Sequence, residues 1–105
     1  MKKRWFLSLF LLTGFVQSAA LAQDANALHA RALAATCANC HGTDGRTVEG
    51  SAVPPLAGMS PDYMVKQMAA FKNGSRPATV MHQLAKGYTD QQVALVAAYF
   101  ANIKR

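Results

Sequence analysis

Cys37-Ala38-Asn39-Cys40-His41 brings two thiols and an imidazole together within five residues. Two cysteines two residues apart, followed directly by histidine, form the attachment pattern of a c-type haem. The thiols add to the two vinyl groups, and the imidazole reaches the iron. Sulfur makes the thioether links, and a neutral histidine nitrogen is a good donor to iron. The other uses of a cysteine pair lack their supporting residues. A structural zinc site needs four protein ligands, yet beyond this pattern only His29 and His82 offer nitrogen, and there is no second cysteine pair. A thioredoxin-like dithiol belongs beside a βαβ pattern, and no stretch of the chain carries one.

The elements that must position this motif begin after an export signal. Lys2, Lys3 and Arg4 precede an apolar run from Trp5 to Val16, and Ala20-Leu21-Ala22 is an A-x-A cleavage site. Residues 1–22 therefore read as a secretory signal and 23–105 as the working domain, with Gln23 the first mature residue. The apolar run is short of the roughly 20 residues of a membrane span, so no stable anchor is expected after cleavage. Three cations and no anion leave with the signal, which takes the formal charge from +6 to +3. The remaining cations, Arg31, Arg46, Lys66, Lys72, Arg76, Lys86, Lys104 and Arg105, are scattered and read as a solvated surface. No basic run interleaved with aromatics is present, so nucleic acid is not an expected partner.

A mature chain of about 83 residues is one domain, and a domain of that size buries only about 60 to 65% of its unfolded surface. A covalent haem would supply the apolar plate that such a small core needs. The pattern around it is all-α, with about three main helices and long loops. Ala25 to Cys40 is free of Gly and Pro, and Leu33, Cys37 and Cys40 fall on one helical face. The Gly- and Pro-rich stretch from Gly42 to Ser60 reads as an ordered loop. Ser60-Pro61-Asp62 starts a second helix, which Gly74 ends. Thr89-Asp90-Gln91-Gln92 is a capping box for a last helix with Val93, Val96, Ala97, Phe100 and Ile103 on its apolar face.

With His41 on one side of the haem, a sixth iron ligand is wanted on the other. The candidates are Met59, Met64, Met68, Met81, His29 and His82. Met64 and Met68 share a helical stripe with Phe71 and read as core filler. A ligand approaching from the far side comes most easily from a connecting segment. Met81 is therefore the first choice and Met59 the second, and His82 would give bis-histidine ligation.

In this order of parts the chain resembles a monohaem class I cytochrome c. The resemblance rests on CANCHGTDG, VPPLAGM, YMVKQMAAFKNGSR, the segment holding Met81, and VALVAAYFANI. It implies the class I cytochrome c fold, thioethers at Cys37 and Cys40, proximal ligation by His41 and distal ligation by Met81. It also implies that the carbonyl of Pro54 accepts the His41 Nδ1–H, and that Tyr99 and Phe100 stand where the last helix crosses the first. The glycine often found at that crossing has no clear counterpart, and Ala30, Ala32 and Ala34 are the small residues available there. A narrower resemblance joins FKNGSRPATVMHQLAKGYTDQQVALVAAYF to the haem subunit of flavocytochrome c sulfide dehydrogenase, most clearly at Met81 to Tyr88. It implies an FAD-containing partner that delivers electrons from sulfide.

The reading that follows is a periplasmic electron carrier, not an enzyme in itself, holding one covalent haem c with His/Met ligation. Within that class stand a sulfide dehydrogenase subunit and a free shuttle serving another redox enzyme. A ligand-binding or peroxidatic haem protein with an open sixth site is the rival of a different class.

Overall fold

The computed structural model describes residues 24–105, so the signal and its cleavage site lie outside the described residues. The alanine-rich segment is helical over 24–35 (α1). The continuous helix expected as far as Cys40 is interrupted at Thr36–Cys37 and resumes as one turn, α2 (Ala38–His41). The hydroxyl of Thr36 donates back to Leu33 O at 2.8 Å. The Thr36 and Cys37 amides also bond three residues back, to Leu33 O at 3.4 Å and Ala34 O at 3.1 Å. Such competition between a threonine hydroxyl and the α-ladder tightens the chain into a turn. The haem motif thus straddles a bend, with Cys37 at the bend and Cys40 and His41 on the following turn.

The loop after the motif is anchored at Gly45. A 3₁₀ turn covers Thr43–Gly45, and Gly45 O accepts from the amides of Leu56 at 2.8 Å and Ala57 at 3.2 Å. Gly45 has φ +71°, and a Cβ there would lie 2.8 Å from Leu56 Cβ and 2.9 Å from Phe100 Cε1. Only glycine allows both the backbone angle and the close approach. Gly58 N donates to Phe100 O at 2.8 Å, which ties the far end of the loop to the last helix.

Helix α3 (Pro61–Asn73) starts with Ser60 accepting from Tyr63 N at 3.5 Å and ends at Gly74, whose φ of 81° is left-handed. The segment that follows holds a short helix that periodicity does not reveal, α4 (Met81–Leu84), continued by a 3₁₀ turn over Ala85–Gly87. Helix α5 (Asp90–Ala101) opens with the full capping box. Thr89 Oγ1 accepts from Gln92 N at 3.1 Å, and Gln92 Oε1 accepts from Thr89 N at 2.9 Å.

No strand occurs among the described residues, and the architecture is all-α, as the sequence leads one to expect. Ala34 of α1, Met64 of α3 and Val96, Ala97 and Phe100 of α5 form one buried cluster, with Leu33, Leu56, Met59 and Tyr99 packed on it. Ala34 is therefore the small residue of α1 that joins this cluster, while Ala32 is exposed. Tyr99 and Phe100 meet edge to face with ring centroids 5.2 Å apart. Among the described residues no helix is long and apolar enough to cross a membrane.

Candidate haem site

A cavity of about 520 Å³, within the range of cofactor sites, opens between the bend carrying the motif, the loop around Pro54, α3 and the segment leading into α4. Cys37, Cys40, His41, Pro54 and Met81 all line it. The bend contributes the two sulfurs and the imidazole, the Gly45-anchored loop contributes Pro54, and the start of α4 contributes Met81.

His41 Nδ1 lies 2.7 Å from Pro54 O. A carbonyl can only accept, so Nδ1 must carry the proton and donate it. The lone pair then resides on Nε2, the atom free to bind a metal. The thirteen-residue separation between these groups is closed by the loop's bonds to Gly45 and Phe100, which position Pro54.

Burial pushes the Cys37 thiol above its ordinary pKa, opposed by the side-chain hydrogen bond it shares with Thr36. A protonated thiol is a poor nucleophile in disulfide exchange, which argues against a thioredoxin-like role. Thr36 is held in turn by the phenol of Tyr88, with which its hydroxyl shares a hydrogen bond. The segment after Met81 is thereby fastened to the bend that carries Cys37.

Met59, Met64 and Met68 also line the cavity, but all three are engaged in the hydrophobic core. Met64 is buried within the cluster, and Met59 and Met68 pack against it. Met81 is half-buried and stands outside that cluster. His29 and His82 are not among the lining residues.

Two lining residues escape a reading of the sequence. Tyr88 reaches the site only because the 3₁₀ turn over Ala85–Gly87 swings it back to Thr36. Arg76, which reads as a solvated cation, is half-buried on the cavity wall. After Gly74 the chain folds back so that Arg76 N donates to Ala70 O at 3.1 Å, and the guanidinium lies 4.6 Å from the centre of the Phe71 ring.

The cytochrome c family profile matches residues 27–104, the span that contains every one of these groups. The chain belongs to the cytochrome c family. It is 47% identical over 73 residues to the cytochrome subunit of sulfide dehydrogenase from Chlorobaculum tepidum, a match covering 70% of this chain and 64% of that one. It is 41% identical over 98 residues to cytochrome c4 of Pseudomonas aeruginosa, covering 93% of this chain and 47% of the relative. A solved structure of Acidithiobacillus ferrooxidans cytochrome c4 superposes with a TM-score of 0.60 at 40% identity, over 64% of this chain and 38% of that one. The chain thus spans less than two thirds of the length of each of these relatives.

Membership of this family implies a covalently held haem c as the cofactor. The residues present fit that group. The cavity is lined by the chain's only two cysteines, by a histidine whose Nε2 is free, and by thioether sulfur.

Proposed function

We propose that this cytochrome is a periplasmic one-electron carrier with its haem joined to Cys37 and Cys40 and its iron bound by His41 and Met81. The observation that carries the reading is the convergence on one cavity of the two thiols, an imidazole oriented by Pro54 O at 2.7 Å, and a methionine outside the buried cluster. Bound there, haem supplies the ferric and ferrous states between which one electron is stored, and a thioether ligand favours the ferrous one. The chain's part would be to hold the iron with His41 and Met81 in both states, so that little would have to rearrange on reduction. Pro54 holds the imidazole ring, and the Thr36–Tyr88 bond holds the segment after Met81 against the bend. Export is supported by the signal-like residues 1–22.

The partner favoured by sequence is an FAD-containing sulfide dehydrogenase subunit, supported by the identity to the Chlorobaculum subunit. A free shuttle is the second reading, supported by the cytochrome c4 match across 93% of the chain.

The test is purification from the periplasm of the native source. The mature chain should begin at Gln23, keep its haem through acid-acetone extraction, titrate as a one-electron couple, bind no carbon monoxide when reduced, and co-elute with a flavoprotein. Extractable haem or ready carbon monoxide binding would reject the carrier with both axial sites filled. Recovery solely as a free monomer with strongly salt-dependent electron exchange would reject the subunit and leave the shuttle.

A further inference from the structure

Among the described residues lining the cavity, Arg76 is the only Lys, Arg, Asp or Glu. Its placement is built rather than incidental. The backbone is fixed to Ala70 O, the guanidinium carbon lies over the Phe71 ring, and Nη1 donates to Gln67 Oε1, a side chain of the same wall. Neither ion pair among the described residues involves it. A guanidinium carries five donors in a planar fork. Gln67 takes one, which leaves a half-buried cation with donors to spare and no anion on a mostly apolar wall. Haem brings two propionate carboxylates, and a carboxylate is the anion that the guanidinium fork matches in geometry.

We propose that Arg76, steadied by Gln67 and Phe71, is the receptor for a haem propionate, and that it thereby fixes the orientation of the haem and raises its potential. This rests on the cavity being the haem site. The cation supports the reduced haem, which carries one positive charge fewer. Pairing also keeps the propionate ionised across the working pH range by holding its pKa below that of an unpaired carboxyl in the same apolar surroundings.

The test uses the holoprotein with Arg76→Gln and Arg76→Lys, reading midpoint potential against pH. Between about pH 5 and 8 any slope in the wild-type potential should come from the second propionate alone, because a carboxylate paired with Arg76 titrates below the ordinary value of about 4. Arg76→Gln should have a lower potential at pH 8, and a further pH-dependent slope should appear in that window as the unpaired propionate titrates. Arg76→Lys, which retains the charge, should recover most of the wild-type potential. Superimposable potentials and pH profiles for Arg76→Gln and wild type would overturn the proposal, since a purely structural Arg76 would alter stability alone. Should Arg76→Gln yield no holoprotein, infrared titration of wild type carrying ¹³C-labelled propionates decides. One propionate ionising below the ordinary carboxyl range supports the assignment, and both ionising at or above it rejects it. Failure of the haem placement itself registers differently, as an absorption spectrum that Met81→Ala leaves unchanged.

Discussion

His41 has one nitrogen to offer because the other, Nδ1, donates its N–H to Pro54 O. Nothing in the twelve residues between them encodes that distance, and the pairing is implied by resemblance to known cytochromes. Cys37, Cys40 and His41 were legible because their chemistry is local to five residues. Arg76 was not, because its burial depends on a reversal of the chain after Gly74 that composition does not record. A second polar contact outside the cavity has a measurable signature. Tyr99 Oη donates to Asp44 Oδ1 at 2.7 Å, tying α5 to the 3₁₀ turn after the motif. That hydrogen bond, then burial and the Asp44 charge, raise the Tyr99 pKa above its ordinary value. Ionising the phenol breaks the bond. The stabilisation is therefore complete below the unfolded phenol pKa of about 10 and disappears as the pH rises through the higher folded value. Ultraviolet titration should show Asp44→Asn lowering the pH at which Tyr99 ionises. An unchanged titration would mean that the bond does not form in solution.

Helices α3 and α5 were legible at both ends because caps are written in adjacent residues: Ser60 and Pro61, Gly74, and Thr89 with Gln92. The bend between α1 and α2 was not, since a threonine inside an alanine-rich run gives no breaker signal, and only its bond to Leu33 O ends the ladder. Helix α4 was missed because four residues are too few to establish a period. The loop from Gly42 to Ser60 read correctly as ordered, but its hinge at Gly45 stands out only in three dimensions. Gly45→Ala should cost about 2–4 kcal/mol, combining left-handed strain with a clash against Leu56 and Phe100. Gly50 has a similar φ of +79° with nothing within 4 Å of a built Cβ, so Gly50→Ala should cost only about 1–2 kcal/mol. Thermal unfolding of the two holoproteins checks the difference. Equal losses would show that packing at Gly45 is unimportant.

At the scale of the whole molecule, the buried side chains are mostly small. Ala34, Ala57, Ala85 and Ala97 make up half of the buried hydrophobic set, and Phe100 is the one large side chain fully enclosed among the described residues. A single buried Phe contributes only about 1.5–3 kcal/mol, and the helices surround a cavity of about 520 Å³. A haem bound in that cavity would complete the core. A mature chain produced without haem attachment, by Cys37→Ala with Cys40→Ala, should lose most of its helical circular dichroism, and a native-like spectrum would refute the structural role of the haem. The most direct test of the central claim is the far-red sulfur-to-iron absorption band of the oxidised holoprotein. The band should be present in wild type, survive Met59→Ala and vanish in Met81→Ala, with the iron of that variant then binding cyanide or carbon monoxide readily. Its absence from wild type, or its survival in Met81→Ala with loss in Met59→Ala, would contradict His41/Met81 ligation.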